Sequence, residues 1–288
     1  MELPDAGTFS YIDGTSIRAC EMERKGILES GAIGEDIIKR ALLKYGFLNA
    51  NLLQTHLNLR GHRRINGVKS AERMCATGDL TKHVIMREGL PDISVYSLSD
   101  SLAETMEAKS HATMGYRREM DENSIPYILE CLSLAEYHMT AAAGQKASEQ
   151  YYNHPVILAD GRPLILQSLI RYKNMFQHTI IFCAMVLPKG GSSADTAGFF
   201  ENMLLTKEYF REKEDRYRNL IYVVICDTDQ QIREFARLTD RMADIKEMFA
   251  LYYRIPRFGA DRGQDPFKRL YKCEWVGGAA DMSLVKLK

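Results

Sequence analysis

The order of hydrophobic patterns between residues 33 and 98 constrains the fold of this chain more than any other sequence feature. Apolar residues recur three times at helical spacing before residue 80, as in ANLLQTHLNL. The period then changes to two in a pair of short segments, KHVIMR and ISVYSL, which a turn with Gly and Pro separates. Three short helices followed by a β-hairpin are the order of a winged helix-turn-helix.

Cap residues support these three helices. Gly46 is well placed to end the first helix, and Asn49 to cap the start of the second. Gly78 ends the third helix, in which Val68, Ala71, Met74 and Cys75 can share one face and Lys69 and Arg73 another. We therefore predict an N-terminal arm over residues 1–32 and a winged helix-turn-helix domain over 33–110.

Basic residues concentrate around the third helix. The chain as a whole has 38 basic and 38 acidic residues, so any nucleic-acid footprint must be local. Five bases but only one acid, Glu72, lie between residues 60 and 73. Phosphate neutralisation gives much of the affinity for DNA, and a helix fits the major groove. The predicted contact residues on the turn, the helix and the hairpin are Arg60, Arg63, Arg64, Asn66, Lys69, Ser70, Arg73, Lys82, His83 and Arg87. The alternative is a solvated basic face on a domain that binds protein.

Two short motifs in this region resemble those of a known family. Arg73, Gly78 and Leu80 form an Arg-x4-Gly-x-Leu pattern, and Tyr96 and Leu98 end the second strand as Tyr-x-Leu. With the helical stretch before them, they resemble the winged-helix half of replication-relaxation proteins, which occur on plasmids and integrative elements of bacteria. The resemblance covers about 70 residues. It implies DNA binding, and it implies that a restriction-nuclease-like α/β domain follows.

The second half of the chain mixes strand and helix patterns. A helical pattern precedes a polar connector, so we predict a helical connector over residues 111–150 and a mixed α/β domain over 151–288. The predicted fold class of the whole chain is α+β, and the resemblance implies that the second domain is a degenerate restriction-nuclease-like scaffold.

The second half lacks a complete set of catalytic residues in its sequence pattern. A nuclease of this class needs an acid before one strand and an acid-x-Lys on the next, to hold a divalent cation. Asp160 is placed for the first acid, but the next strand, HTIIFCAMVLPK, contains no carboxylate. Asp227 and Asp229 follow the strand LIYVVIC. Capping of the next helix is a simpler interpretation of these residues than magnesium binding. We predict no catalytic residue, no metal site and no cofactor.

The six cysteines lie far apart, in no CxxC pair, which predicts buried reduced thiols and a cytoplasmic protein. No segment is long and apolar enough to cross a bilayer, so we expect no membrane partner. The predicted function is that of a DNA-binding accessory or regulatory protein of a bacterial mobile element, acting in transcription regulation, plasmid replication or conjugative transfer. Its expected partners are double-stranded DNA and either a second copy, as a homodimer, or another protein of the same element. The alternatives are a metal-dependent nuclease or nucleotide-processing enzyme and a protein-interaction scaffold.

Overall fold

The computed structural model describes residues 15–20, 32–87, 90–110, 124–144, 149–173, 179–188, 193–211, 220–240, 250–254 and 269–285. The chain is a mixed α+β protein, which confirms the predicted class. Its described residues form two compact units, one within residues 12–135 and one within 136–288. The boundary falls inside a helix, between Ala135 and Glu136.

The N-terminal unit contains four helices, the first part of a fifth and four strands among its described residues. In chain order these elements are β1 (Thr15–Cys20), α1 (Ala32–Tyr45), β2 (Leu48–Asn49), α2 (Ala50–Leu59), α3 (Gly67–Thr77), β3 (Leu80–Arg87), β4 (Leu90–Leu98), α4 (Asp100–Ser110) and α5 (Ile125–Gly144). The three predicted helices and both predicted hairpin strands are present.

The predicted caps are present as well. The side-chain oxygen of Asn49 accepts a hydrogen bond from the Leu52 amide at 2.9 Å, which begins α2. Gly46 follows α1 with φ of +77°, and Gly78 ends α3 with φ of +83°. Both glycines adopt the left-handed conformation that a side chain with a Cβ would strain.

A four-stranded antiparallel sheet with the order β1-β3-β4-β2 packs with these helices. The two-residue strand β2 links α1 to α2 and pairs with β4, with Leu48 opposite Tyr96. The strand β1 pairs with β3 from Thr15 opposite Arg87 to Cys20 opposite Lys82. This strand lies within the predicted N-terminal arm, and its short sequence, TSIRAC, carries little signal because its partner is more than 60 residues away.

The core of the N-terminal unit draws on each of its three first helices and on the hairpin. Its completely buried side chains include Leu42 of α1, Leu53 and Leu57 of α2, Ala71 and Met74 of α3, and Ile85 and Val95 of the hairpin. Burial of such side chains is the main contribution to the stability of a domain of this size. Val68 does not join this core, contrary to the expectation from helical spacing, and is 37% exposed.

The C-terminal unit is a seven-stranded mixed sheet with helices. Its elements after α5 are β5 (Glu149–Ile157), β6 (Pro163–Lys173), β7 (Thr179–Val186), α6 (Ser193–Arg211), β8 (Leu220–Cys226), α7 (Asp229–Asp240), β9 (Ala250–Arg254), β10 (Leu270–Val276) and β11 (Ala279–Leu284). The strand order runs from β11 through to β5 without interruption. β7, β8 and β9 are parallel neighbours, and the other neighbouring pairs are antiparallel.

Aromatic residues from α6 and α7 contribute to the core of this unit. The rings of Phe200 and Phe235 stack with their centroids 5.5 Å apart, and Phe199 packs edge-on against Phe235 at 5.7 Å. These helices bury their aromatic residues in the same cluster as the inner faces of β7 and β8.

One predicted segment differs from the structure. The sequence predicts a connector up to residue 150, but β5 begins at Glu149. Its side chains alternate between exposed and half-buried, because β5 is the edge strand of the sheet and needs few apolar residues. Asn153 has a φ of +45°. On either side of it, Tyr152 of β5 pairs with Ser168 of β6, and His154 pairs with Leu166.

Five cysteines whose side chains the structure describes are buried and outside any disulfide bond: Cys75, Cys131, Cys183, Cys226 and Cys273. Burial raises the pKa of the Cys183 thiol to about 12. The Cys183 thiol is therefore protonated and unreactive at neutral pH.

The start of α7 uses the residues that the sequence offered for a magnesium site. Thr228 Oγ1 accepts a hydrogen bond from the Gln231 amide at 3.1 Å. In return, Gln231 Oε1 accepts from the amides of Asp227 at 2.8 Å and Thr228 at 3.3 Å. This reciprocal arrangement is a capping box, and Asp229 lies in the first turn, where its charge complements the helix dipole. The capping interpretation is confirmed.

We expect Thr228→Ala to lower the free energy of unfolding by about 1 kcal/mol, because the Gln231 amide loses its acceptor. Thr228→Ser keeps a hydroxyl in the same position and should retain most of the stability. Urea unfolding of the full chain, followed by far-ultraviolet circular dichroism, compares the variants. Equal losses for both would assign the effect to the Thr methyl group instead of the cap.

Candidate functional site

Four exposed cations lie along the turn between α2 and α3 and at the start of α3. Arg60, Arg63 and Arg64 are on the turn, and Lys69 is in the first turn of the helix. Among the residues that the structure describes, none of the four forms an ion pair. Their charges are therefore available to an anionic partner, and we call these four residues the exposed basic cluster.

Hydrogen bonds from Gln54 of α2 fix the position at which α3 begins. Its Oε1 accepts from the Gly67 amide at 3.0 Å, and its Nε2 donates to the Ile65 carbonyl at 3.1 Å. Gly67 lies so close to α2 that a Cβ there would be 3.2 Å from Leu57 and 3.3 Å from the backbone nitrogen of Gln54. The first turn of α3 is therefore held against α2 by both hydrogen bonds and close packing.

Asn66 has a structural role at this point. It is exposed and caps α3, since its side-chain oxygen accepts a hydrogen bond from the Lys69 amide at 3.0 Å. Its amide nitrogen is not used by that bond, so the cap leaves a donor group on the exposed side chain. Ser70, the next predicted contact residue, is only 8% exposed and faces the core. The structure therefore does not place Ser70 with the exposed basic cluster.

Arg73 points away from the exposed basic cluster, towards α1. Its Nη2 lies 2.6 Å from Glu35 Oε1, and its Nε donates to the same oxygen at 2.8 Å. The two charged side chains are 29% and 14% exposed. Arg73 is therefore bound to a carboxylate of α1, whereas Lys69 forms no ion pair among the described residues, and a DNA contact from either residue stays a prediction.

Lys82 is likewise engaged inside the unit. Its ammonium group donates to Glu72 Oε1 at 2.7 Å, and the Tyr96 hydroxyl donates to the same oxygen at 2.7 Å. Burial raises the pKa of Glu72, but the hydrogen bonds from Lys82 and Tyr96 outweigh it and hold that pKa below its usual value. This cluster joins α3 to both strands of the hairpin.

His83 and Arg87 complete the set of predicted residues. His83 is buried, and its Nε2 shares a hydrogen bond with Ser97 Oγ at 3.0 Å, so the prediction that it reaches DNA from the hairpin is wrong. Successive side chains of a strand point to opposite faces, and His83 is on the core side. The backbone of Arg87 pairs with Thr15 and Leu90, and its side chain lies outside the described residues.

The positive field of Arg60 reaches the ends of α1 and α2. Burial, and then the charge of Arg60, lower the pKa of Lys44 to about 8. Burial, and then the charges of Arg60 and Lys44, lower the pKa of His56 to about 4. Lys44 lies over the ring of Tyr45, with Nζ 5.2 Å from its centroid. His56 is therefore neutral at pH 7, and the cations near it belong to Lys44 and Arg60.

The acidic residues proposed for nuclease chemistry are engaged elsewhere. Asp160 is exposed in the turn between β5 and β6, where it accepts from the Arg162 amide at 3.0 Å and pairs with its guanidinium. Arg162 also binds Glu208 of α6 at 3.1 Å. Over the described part of β7, six of eight side chains are buried and none is a carboxylate. Within the described ranges, no group of three or more His, Cys, Asp or Glu residues is placed to hold a metal ion.

The C-terminal unit contains a buried serine–histidine pair that was not predicted from the sequence. His138 of α5 is fully buried, and its Nδ1 shares a hydrogen bond with Ser168 Oγ of β6 at 2.8 Å. The ring of Tyr152 packs edge-on against His138 at 5.3 Å. Both residues occur in apolar runs without a sequence motif, so no signal marks them. Their burial makes the pair a polar link between α5 and β6.

No described helix combines the length and the apolar character that crossing a bilayer requires. Comparison of the chain with protein-family profiles, with curated proteins and with solved structures found no match. The assignment of function therefore depends on the geometry of the site and on the motifs described above.

The buried histidines make the stability of the N-terminal unit sensitive to acid. Unfolded His56 binds a proton near pH 6.5, but in the folded chain its pKa is about 4. Below pH 6.5 the unfolded state therefore binds more protons, and stability falls as the pH drops towards 4. We expect His56 to contribute a loss of up to about 3 kcal/mol over this range.

Urea unfolding of the full chain at pH 7.0, 5.5 and 4.5 measures this dependence. His56→Gln should show a weaker decline with pH, although it lowers stability at pH 7 by disturbing the packing around Tyr45. His62→Gln, in the turn after α2, is the matched control and should keep the wild-type slope. A His56→Gln slope equal to that of the wild type would contradict the prediction.

Proposed function

We propose that the N-terminal unit binds duplex DNA as a winged helix-turn-helix, with α3 in the major groove. The observation that carries the proposal is the exposed basic cluster, which lies on the turn before α3 and on its first turn. Recognition helices contact bases through their N-terminal residues, and exposed arginine and lysine side chains bind phosphates. The order of elements supports the proposal, since α3 leads directly into the β3–β4 hairpin, which serves as the wing.

The pairing of charges around α3 also supports a DNA interface. Three acids on or next to α3 have cationic partners within the unit: Glu35 binds Arg73, Glu72 binds Lys82, and Asp79 binds Lys39 at 2.6 Å. These carboxylates are largely neutralised, whereas the exposed basic cluster is not. A surface with this imbalance attracts a polyanion over distances near the Debye length.

The proposed biological role is that of an accessory or regulatory protein of a bacterial mobile element, located in the cytoplasm. The resemblance of Arg73, Gly78, Leu80, Tyr96 and Leu98 to the replication-relaxation motifs supports this role. Within it, transcription regulation, plasmid replication and conjugative transfer all require a protein that docks on DNA. The C-terminal unit would then bind a second copy of the chain or another protein of the same element.

For the C-terminal unit we propose a restriction-nuclease-like scaffold that lacks the nuclease chemistry. The order of α5, the antiparallel strands β5, β6 and β7, then α6 and the parallel strand β8 supports such a scaffold. The arginine that pairs with Asp160 and the apolar sequence of β7 favour a non-catalytic role. A metal-dependent nuclease remains the alternative function, and incubation of DNA with the chain and Mg²⁺ or Mn²⁺ tests it.

We expect Lys69→Ala and Arg73→Ala to separate DNA binding from stability. Lys69→Ala should weaken binding by about 1–3 kcal/mol if Lys69 contacts a base, or lower the salt slope by about 0.9 if it contacts a phosphate. Arg73→Ala should lower the free energy of unfolding by about 1 kcal/mol, because Glu35 loses its partner, and change DNA affinity less. Fluorescence anisotropy titrations at two salt concentrations, with urea unfolding of each variant, measure both effects.

Arg63→Ala and Arg64→Ala extend this test over the exposed basic cluster, and Arg40→Ala is the matched control. Arg40 is an exposed arginine of α1 that pairs with Asp36 within its own helix. Unchanged DNA affinity in all three cluster variants, with the fold intact by circular dichroism, would place the interface elsewhere or remove DNA from the function.

We expect no nuclease activity from the full chain. Incubation with supercoiled or linear DNA in the presence of Mg²⁺ or Mn²⁺ should leave the DNA intact, because Asp160 already binds Arg162 and β7 offers no carboxylate ligand. Gel electrophoresis of the products is the measurement. Cleavage by the wild-type chain that Asp160→Ala or Asp227→Ala abolishes would establish the enzyme instead.

A further inference from the structure

Val68 is an aliphatic side chain that the fold leaves in the candidate DNA interface. It lies in the first turn of α3 between two anchored backbone positions, and it is 37% exposed. Its sequence neighbour Lys69 belongs to the exposed basic cluster. The other three members of that cluster precede Val68 within eight residues. Helical spacing places Val68 on one face with Ala71, Met74 and Cys75, yet those three side chains are buried and Val68 is exposed.

The backbone on both sides of Val68 is held in place. The amide of Gly67 donates to Gln54, and the amide of Lys69 donates to Asn66, each at 3.0 Å. Gly67 also packs closely against Leu57 of α2. A valine has only one χ angle, so with this backbone the position of its two methyl groups is nearly fixed. Such preorganisation is typical of a residue that reads one group on a partner.

We propose that Val68 determines specificity for thymine by contacting its C5-methyl group in the major groove. The proposal rests on the proposed binding of α3 to duplex DNA. Among the base edges that the major groove displays, the thymine methyl is the apolar group, and the other edges present hydrogen-bond donors and acceptors. A valine placed against those polar edges would remove water from them without supplying a hydrogen bond, which is unfavourable. The thymine methyl group is therefore the partner that fits Val68.

The neighbouring cation completes the expected contact. Lys69 follows Val68 directly and carries its charge on a long, flexible stem. It can therefore reach a guanine edge or the phosphate beside the thymine that Val68 contacts. Glu72, one turn further along α3, is held by hydrogen bonds from Lys82 and Tyr96. The contact with the DNA at this end of the helix is therefore expected from Val68 and Lys69.

The test begins by selecting duplexes from a random DNA library with the full chain and sequencing those that bind. Each thymine of the selected sequence is then replaced by deoxyuridine, which removes only the C5-methyl group. We expect one such replacement to weaken wild-type binding roughly fourfold, the effect of one buried methyl-sized group. Val68→Ala should bind the thymine and uracil duplexes equally. Fluorescence anisotropy measures both affinities.

Ile33→Ala is the matched control, because Ile33 is an exposed aliphatic residue of α1, 68% exposed and outside α3. This variant should keep the preference for thymine over uracil. Sequence selection followed by equal binding of all uracil duplexes to the wild type would overturn the role of Val68 and leave DNA binding standing. The same holds if Val68→Ala retains the full preference. Failure of the wild type to bind any duplex would overturn the proposed function and this inference together.

Discussion

The candidate interface depends on the hydrogen bonds that the carboxylate of Glu72 accepts. A single oxygen of Glu72 accepts hydrogen bonds from Lys82 on β3 and Tyr96 on β4, each at 2.7 Å. These bonds fix α3 relative to the hairpin, so that the helix and the wing can contact one partner with little loss of conformational entropy on binding. The bonds also lower the pKa of Glu72, which keeps the carboxylate ionised until well into the acid range. The arrangement therefore persists at any physiological pH.

The same charge pairing divides the basic residues into two groups with different physical roles. Arg73 and Lys82 bind carboxylates of the unit, where their removal leaves a partly buried acid without its cationic partner. The exposed basic cluster has no such bonds among the described residues, and its charges add to the field towards solvent. Only the second group can exchange solvent ions for phosphates at low cost. A count of basic residues along the sequence cannot make this distinction, because the acids that pair with Arg73 and Lys82 lie 38 and 10 residues away in the chain.

The sequence predicted the local features of the N-terminal unit well, because they depend on residues close in the chain. Asn49 and Gly78 mark helix ends through hydrogen bonds and φ values set within a few residues. The orientation of side chains around α3 was harder to predict. Lys69 and Arg73 are four residues apart and should share a face, yet Glu35 draws Arg73 towards α1. His83 was predicted to contact DNA as a basic residue of the hairpin, but it is buried, with Phe47 and Ser97 in contact with its ring. The strand β1 was missed for the same reason, since its partner β3 is distant in sequence.

The C-terminal unit illustrates how polar residues at strand ends can serve the fold without serving a reaction. The described side chains of β7 and β8 are mostly buried, and the connection after β8 carries polar groups at the start of α7. After β8 those groups are Thr228 and Gln231, which satisfy the amides at the start of α7. Before β6 the acid is Asp160, whose oxygens accept from the backbone and side chain of Arg162. An acid engaged in this way loses those hydrogen bonds if it is to coordinate a cation, and the geometry of both connections would have to change. In this unit the acid that the sequence offers before β6 holds a turn, and beside the two acids that it offers after β8 the side chains of Thr228 and Gln231 cap α7.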